Sequence, residues 1–487
     1  MNYRFVFKRL GFILLIEAFL LVFPLFVSLY YNENFTPFIY TILALLISGG
    51  TLSLINAKKT SYYAKEGLAI TALAWLLLSL FGAIPFVIDG AIPNYVDAFF
   101  ETVSGFTTTG SSILNNVEII PKGLLFWRSF THFIGGMGIL VFVIAILPMS
   151  NNNSMHVIKA ETPGPFPGKL LPKLGDTAKW LYGIYTFLTL LEIILLYIGG
   201  MPLFDSVLTS FGTAGTGGFG LKNTSIAFYN SAYVDYVVGI FMLLFGINFN
   251  VFFLIIVRKF KQALFNEEMR AYLIIVIISV LLISFNILSM CSNFFDAFRL
   301  SFFQVSSIIT TTGYSTTNFN LWPTFSKIIL FILMFFGACG GSTGGGIKIS
   351  RIVILVKKLM NNLVSLAHPN SVKIVKFEKK EIENIHVNQI GYFFILYFFV
   401  IGIITLIVSL DNFDFETTLS SVVACISNIG PGLGLVGPIG NFSIFSDVSK
   451  IFLSIAMLLG RLELEPMLLF LSSSIYIKNK HNKKKKQ

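Results

Sequence analysis

Stretches of about twenty mostly apolar residues recur along the chain, and this recurrence limits the folds that the chain can adopt. Of the 487 residues, 55% are hydrophobic and only 12% are charged, whereas roughly 25% are charged in a soluble globular chain. We therefore predict an all-α polytopic membrane protein with about ten spans. The predicted spans are 10–31, 35–56, 66–88, 124–148, 180–200, 232–257, 271–290, 325–339, 390–410 and 448–474. The eighth, 325–339, is the first part of an interrupted span.

Lys and Arg residues are distributed unevenly between the two sides of these spans. With the N-terminus in the cytoplasm, 28 of the 35 basic residues fall in cytoplasmic segments: 1–9, 57–65, 149–179, 258–270, 348–388 and 475–487. Basic loops remain on the cytoplasmic side of a membrane, so we expect both termini there. The net charge of +11 then needs no nucleic-acid partner. The tail "KHNKKKK" could contact anionic membrane lipid or a partner, or it could simply be solvated.

The sequence offers little for catalysis or for a resident metal. The three cysteines, Cys291, Cys339 and Cys425, form no motif with one another, and His132 is the one histidine of five inside a predicted span. There is no Ser-His-Asp order and no HExxH. We therefore expect no enzyme activity and no organic cofactor.

After an N-terminal hairpin, the chain repeats one plan four times. Each repeat has a span, a loop, a short segment with a Gly-rich end, and a second span. The boundaries that we expect are 1–60 for the hairpin and 61–150, 151–262, 263–365 and 366–487 for the repeats. The short segments read "ETVSGFTTTGSS" (101–112), "LTSFGTAGTGGF" (208–219), "QVSSIITTTGYS" (304–315) and "SVVACISNIGPGL" (421–433), and their equivalent glycines are predicted to be Gly110, Gly217, Gly313 and Gly430.

These short segments cannot cross a bilayer, and irregular backbone at membrane depth occurs only where it is buried in protein or lines a cavity. Four re-entrant loops around one axis would surround a pseudo-fourfold pore with backbone carbonyls, which can replace the hydration shell of a cation. The alternative is that Gly, Ser and Thr only allow close helix packing. "GTGGFG" (215–220) also matches GxGxxG, but it lies outside any βαβ context.

A second Gly-rich stretch, "GACGGSTGGGIK" (337–348), lies inside the predicted second span of the third repeat. Glycine costs about 1 kcal/mol per residue in a helix interior relative to alanine, so this span should break. We interpret the stretch as a mobile loop that plugs the cavity beneath the selectivity filter, the ring that the four re-entrant loops would form; a kinked packing helix is the alternative. The predicted gate residues here are Gly340, Gly341, Gly344, Gly345, Gly346 and Lys348.

Ionisable residues in the last span form "GRLELE" (460–465). Arg461 and Glu465 are four apart and could pair on one helix face, either near the pore or as a structural ion pair. On the predicted outer side, Asp97, Glu101 and Asp205 could enrich cations at the mouth, or they could have solvated or capping roles.

Several longer stretches, together with the four repeats, resemble the Trk/Ktr/HKT superfamily of potassium transporters, and specifically its Trk-type membrane subunit. Two departures, His132-Phe133 and Ala338-Cys339, are expected to lie away from the filter loops. The stretches that carry the resemblance are "WRSFTHFIGGMGILVFVIAILP" (127–148), "AETPGP" (160–165), "GGSTGGGIKISR" (340–351), "SNIGPGLG" (427–434) and "GRLE" (460–463).

The resemblance implies potassium uptake across the cell (inner) membrane, with potassium as the transported ion. It also implies a gating role for the Gly-rich loop and for Arg461, a homodimer, and a cytosolic ring of regulatory subunits that bind NAD or ATP. All four filter positions are glycine, which in this superfamily indicates potassium rather than sodium. The implied filter residues are Thr108, Thr109 and Gly110; Gly215, Thr216 and Gly217; Thr311, Thr312 and Gly313; and Asn428, Ile429 and Gly430.

Two other functions that a polytopic membrane protein could have agree less well with these sequence features. A sodium-coupled transporter of a small organic solute would show two inverted halves with broken helices, whereas the four repeats here run in the same direction. A membrane scaffold would not need four glycine-ended loops. We therefore expect downhill passage of potassium through the four loops when the Gly-rich loop moves aside.

Overall fold

The computed structural model describes residues 2–56, 64–138, 174–369 and 373–462, and these are almost entirely helical. The chain begins with a hairpin of Tyr3–Leu20, continued by Val22–Tyr30, and Thr36–Ser53. The two arms touch at Gly11 and Gly49, where a Cβ on Gly11 would lie 2.7 Å from the Gly49 carbonyl oxygen. Small residues therefore set the spacing of this hairpin.

Four repeats follow, each with an outer helix, a short pore helix and an inner helix. The outer helices are Ala64–Gly82 (extended by Ile84–Asp89), Leu174–Ile198, Glu267–Asn286 and Asn384–Val408. The pore helices are Tyr95–Phe106, Leu203–Gly215, Phe294–Ile309 and Phe415–Ile426. The inner helices are Lys122–Gly136, Ala232–Phe245 with Phe249–Ile256, Thr324–Phe336 with Ile349–Ala367, and Asp447–Arg461.

The remaining elements are short. They comprise the helix Phe260–Leu264, the 3₁₀ turns Ser225–Tyr229, Leu288–Met290, Phe319–Leu321, Ser409–Asp411, Gly434–Val436 and Phe442–Ile444, and an antiparallel pair of strands, Lys376–Phe377 and Lys380–Glu381.

Within the described residues, six helices are long and apolar enough to cross a membrane: Tyr3–Tyr30, Thr36–Ser53, Glu66–Asp89, Ala178–Ile198, Glu267–Asn286 and Asn384–Asp411. They correspond to six of the ten predicted spans. The other four predictions fall on inner helices, which are shorter because they break or reach the edge of a described range. The all-α polytopic fold with four repeats is thus confirmed.

The second inner helix departs from the prediction of one unbroken span over 232–257. It breaks after Phe245, and Phe249–Ile256 continues at 90° to the first part. The Gly-rich stretch of the third repeat occupies this break: Cys339 N donates to Gly246 O at 3.0 Å, and Phe249 N donates to Gly341 O at 3.1 Å. Backbone groups released by the break are therefore satisfied by the other repeat, as burial requires.

Side chains at their N-termini fix where three of the pore helices begin. Asn94, Asn293 and Asp414 accept hydrogen bonds from the backbone N–H groups of Val96, Asp296 and Thr417 at 2.8–2.9 Å. Such caps satisfy donors that a helix leaves open. The hydrogen bonds from Thr417 hold the pKa of the Asp414 carboxyl below its usual range.

Candidate selectivity filter and gate

The four pore helices end in the same backbone geometry. A loop, which we call a filter loop, follows each pore helix. Its first residue has a left-handed φ of 54–59°, and the glycine two residues later has a φ of 71–101°. The starting residues are Thr108, Thr216, Thr311 and Asn428, and the glycines are Gly110, Gly218, Gly313 and Gly430.

This geometry corrects the predicted register of the second repeat. Thr216 N donates to Thr213 O and Gly217 N to Gly212 O, in the pattern that Thr311 and Thr312 make with Ile308 and Ser307. Gly217 thus matches Thr312, and Gly218 is the glycine equivalent to Gly313. The prediction that Gly217 is the equivalent glycine was wrong by one residue, and Gly215 belongs to the pore helix. The second loop therefore comprises Thr216, Gly217 and Gly218.

The four loops contact one another in a closed ring. A Cβ at Gly110 would overlap the carbonyl oxygen of Gly217, one at Gly218 that of Thr312, and one at Gly313 that of Ile429. A Cβ at Gly430 would lie 2.9 Å from the Thr109 oxygen, which returns the ring to the first repeat. Glycine is thus needed at each of these positions for two reasons: the φ is positive, and the backbone of the neighbouring loop leaves no room for a Cβ.

Threonine hydroxyls brace two of the loops from within. The Thr107 and Thr109 hydroxyl oxygens are 2.8 Å apart, and so are those of Thr310 and Thr312. In the fourth loop, Asn428 Nδ2 donates to the Thr109 hydroxyl at 2.9 Å. The repeated threonine triplets therefore stabilise the loop shape, and the fourth repeat ties into the first through an amide.

Glu101 is a buried structural anion and not a solvated acid at a mouth. Its carboxylate accepts from Arg128 Nε at 2.6 Å, from the Ser112 hydroxyl at 3.0 Å and from Ile113 N at 2.9 Å. Arg128 also donates to Gly220 O at 3.0 Å and lies 3.6 Å from the centroid of the Phe219 ring. One ion pair therefore holds the segments that follow the first and second filter loops.

The other two acids singled out by the sequence also have partners. Lys450 Nζ lies 2.6 Å from Asp97. The Tyr229 hydroxyl donates to Asp205 at 2.8 Å, and burial raises the pKa of Tyr229 well above its usual value. All three acids thus have partners among the side chains of the protein.

The Gly-rich stretch of the third repeat is an irregular loop packed against the first residues of the filter. Gly337, Gly341 and Gly346 have φ of 68°, 73° and 71°. Gly345 N donates to the Thr311 hydroxyl at 2.6 Å, and a Cβ on Gly344 would lie 2.9 Å from the Thr310 carbonyl oxygen. The span is therefore broken as predicted, and the loop lies directly beside two filter repeats, because Gly345 also abuts the Ser427 carbonyl.

A buried carboxylate holds both ends of this loop. Glu268, at the start of the third outer helix, accepts from Gly340 N at 2.6 Å and from Ser350 N at 3.0 Å. Inside the loop, the ammonium of Lys348 donates to the Gly344 carbonyl, and Lys348 itself has a left-handed φ of 81°. Nothing in the sequence around Glu268 predicts this role, since only the fold brings it to residues 72 and 82 positions away.

Arg461 joins the last inner helix to the loop and to the first repeat. Its guanidinium donates to the carbonyl oxygens of Thr343, Gly135 and Gly136, each at 2.7 Å. Together with Gly344, Gly345, Gly346, Lys348 and Arg351, it lines a cavity beside the filter. The predicted pair with Glu465 lies outside the described residues, as does Glu463.

His132 was expected to lie away from the filter, and this expectation was wrong. A Cβ on Gly217 would overlap the His132 imidazole, and one on Gly215 would overlap the His132 carbonyl oxygen. The imidazole also packs edge-to-face on Phe219 with centroids 4.2 Å apart. A single histidine in a span carries no sequence signal for such a contact.

No group of three or more His, Cys, Asp or Glu side chains suited to a metal ion occurs in the described residues. In the filter loops, one backbone carbonyl oxygen from each repeat lies against the glycine of a neighbouring loop, and these oxygens belong to Thr109, Gly217, Thr312 and Ile429. Such a ring can take the place of water around a dehydrated monovalent cation.

Comparison with known proteins agrees with this geometry. The family TrkH, described as a cation transport protein, matches residues 33–479. The chain is 33% identical to the Trk system potassium uptake protein TrkG of Escherichia coli K12, over 96% of this chain and 98% of that one. It is also 33% identical to the Trk system potassium uptake protein TrkH of the same organism, over 98% of this chain and 100% of that one.

A solved structure shares the whole fold. The crystal structure of the potassium transporter TrkH from Vibrio parahaemolyticus superposes with a TM-score of 0.88 at 30% identity, covering 98% of this chain and all of that one. Four filter loops in a closed ring, a Gly-rich loop beside them and a match over nearly the full length lead to one conclusion: the chain belongs to the TrkH family of cation transport proteins.

Proposed function

We propose that this protein takes up potassium across the cell membrane through the ring of four filter loops. The observation that carries the proposal is the closed set of glycine-to-carbonyl contacts among Gly110, Gly218, Gly313 and Gly430 and their neighbours. The relatives named above as potassium uptake proteins support the same ion. The family match favours cation transport over a sodium-coupled carrier of organic solutes, and we do not retain that alternative.

The proposed ion ligands are backbone carbonyls of the loops in the corrected register. Potassium loses its water at the outer end of the ring and passes between oxygens that replace it. An inside-negative potential supplies about 2.3 kcal/mol per 100 mV for each charge that crosses. The ligand residues are Thr108, Thr109 and Gly110; Thr216, Gly217 and Gly218; Thr311, Thr312 and Gly313; and Asn428, Ile429 and Gly430.

The Gly-rich loop is the proposed gate, and its present position is the closed one. It contacts the filter through the Thr311 hydroxyl, is held by Glu268 and is fastened by Arg461. Arg461 also places a positive charge beside the path, which opposes a passing cation. Opening then requires the loop to give up the hydrogen bonds to Arg461 and Thr311.

The wider setting belongs to the same proposal. The basic segments support a position of both termini in the cytoplasm, with the protein in the inner membrane. The proposed assembly is a homodimer on a cytosolic ring of regulatory subunits that bind NAD or ATP. The basic tail contacts anionic lipid in this proposal. The repeat boundaries at 61, 151, 263 and 366 remain a prediction.

Growth tests the proposal. A bacterium that lacks its own potassium uptake systems should grow on low potassium when it expresses this chain, with rubidium uptake rising in parallel. Absence of rescue, with good membrane expression and with cognate regulatory subunits present, would contradict the proposal.

A further inference from the structure

One of the four filter loops lacks a side chain that the others have. The residue just before the filter glycine is Thr109, Thr312 or Ile429 in three repeats, and it is Gly217 in the second. Gly217 does not have a left-handed φ, so its backbone would accept a side chain. Conformation therefore does not explain this glycine.

The imidazole of His132 explains it. Nδ1, Cε1 and Cγ of His132 are the atoms that a Cβ on Gly217 would overlap first. The ring comes from the inner helix of the first repeat, and it fills the space that a side chain at 217 would take. His132 and Gly217 are thus complementary in shape across the boundary between two repeats.

The surroundings hold this ring against the loop. His132 is completely buried, and its ring packs edge-to-face on Phe219, which also contacts the guanidinium of Arg128, one helical turn before His132. Neither ring nitrogen makes a hydrogen bond within the described part of the chain. The ring therefore acts on the loop through packing and not through a specific hydrogen bond.

We propose that His132 is a positioning residue for ion selectivity: its ring replaces the missing side chain at 217 and fixes the second filter loop in the shape that selects potassium. The proposal rests on the function proposed above. Without the ring, a loop with two adjacent glycines, Gly217 and Gly218, gains backbone freedom and loses packing contacts on one side. The carbonyl of Gly217, which abuts Gly110, would then no longer be held in place.

A double-mutant cycle tests the complementarity. The four proteins are the wild type, His132→Ala, Gly217→Thr and the double variant, which carries at 217 the residue found at 109 and 312. Each is reconstituted in liposomes, and the ratio of rubidium to sodium uptake is measured. His386→Ala, which changes an exposed histidine far along the chain, is the matched control.

We expect each single variant to lose selectivity by about tenfold, in keeping with coupling energies between residues in contact. The double variant should recover to within about threefold of the wild type, because the threonine side chain enters the space that the ring has left. His386→Ala should match the wild type. Selectivity that is unchanged in His132→Ala, or a double variant no better than Gly217→Thr, would overturn the proposal.

Thermal unfolding in detergent provides a readout that does not depend on the ion. If a single variant fails to fold, recovery of the unfolding midpoint in the double variant supports the proposal, and failure of the double variant as well overturns it. A wild type without potassium preference would instead contradict the proposed function, whatever the coupling between His132 and Gly217.

Discussion

Arg461 donates a hydrogen bond of 2.7 Å to the carbonyl oxygen of Thr343, and this contact connects the last inner helix to the Gly-rich loop of the third repeat. The same guanidinium reaches two carbonyls at the end of the first inner helix. Three of the four repeats are thus joined through one side chain beside the filter. This side chain holds the loop and carries a positive charge, which agrees with the gating role that we propose for it.

Replacement of Arg461 should therefore increase transport. Arg461→Ala removes three hydrogen bonds and the charge, so we expect faster rubidium uptake into liposomes in the absence of regulatory subunits. Arg461→Lys keeps the charge, but an ammonium cannot reproduce the planar fork of a guanidinium. Rubidium uptake by Arg461→Lys should therefore lie between that of the wild type and that of Arg461→Ala. Uptake of Arg461→Ala at or below the wild-type rate, with unchanged folding, would contradict the gating role.

Glu268 should also stabilise the closed position of the Gly-rich loop relative to an open one. Glu268→Ala leaves the N–H groups of Gly340 and Ser350 without their acceptor, and each buried unpaired group costs about 1–3 kcal/mol in the closed arrangement. We expect higher basal rubidium uptake, with a smaller rise in Glu268→Gln, because the amide keeps an acceptor oxygen. Equal uptake by all three proteins would show that the loop does not depend on this anchor.

The buried pair of Glu101 and Arg128 should matter far more for stability than an exposed pair. Glu101→Gln leaves the guanidinium of Arg128 without its buried counterion, and breaking such a pair costs about 3–5 kcal/mol. The control is Glu416→Gln, which breaks the exposed contact of Glu416 with Lys327 at 3.2 Å and should cost about 1 kcal/mol or less. The free energies of unfolding in detergent test this, and similar losses in the two variants would refute it.

The corrected register of the second loop has its own test. Gly218→Ala adds a Cβ at a φ of 71° and against the Thr312 carbonyl, so we expect the preference for potassium over sodium to be lost. Gly220→Ala is the control, because its nearest neighbour would be the Lys222 carbonyl oxygen at 3.2 Å and its φ is not left-handed. Ion preference that survives Gly218→Ala would speak against the ring position of Gly218.

Features that depend on local composition could be predicted from the sequence. Apolar runs revealed the spans, and Gly-rich ends revealed the four short segments with their non-helical ends, because helix propensity and glycine conformation act within a few residues. Six glycines between Gly337 and Gly346 likewise predicted the broken span. The resemblance to a known superfamily then suggested the roles that we propose for these residues.

Features that depend on neighbouring repeats could not be predicted in this way. The stretch from Gly215 to Gly218 holds three glycines, and the backbone of the third repeat decides which of them completes the ring. The break after Phe245 is stabilised by Cys339 and Gly341, almost a hundred residues later. The burial of Glu101 could not be predicted, because nothing in its own segment indicates that Arg128 is its partner.

The central claim is that the ring of four glycines selects potassium, and one comparison tests it most directly. Wild type and Gly313→Ser are reconstituted in liposomes, and uptake of potassium, rubidium and sodium is recorded under the same inside-negative potential. We predict that the wild type carries potassium and rubidium in clear preference to sodium. In Gly313→Ser, a side chain at a φ of 89° that abuts the Ile429 carbonyl should abolish that preference. A wild type that does not prefer potassium, or a Gly313→Ser variant with unaltered preference, would contradict the assignment of these four loops as the selectivity filter.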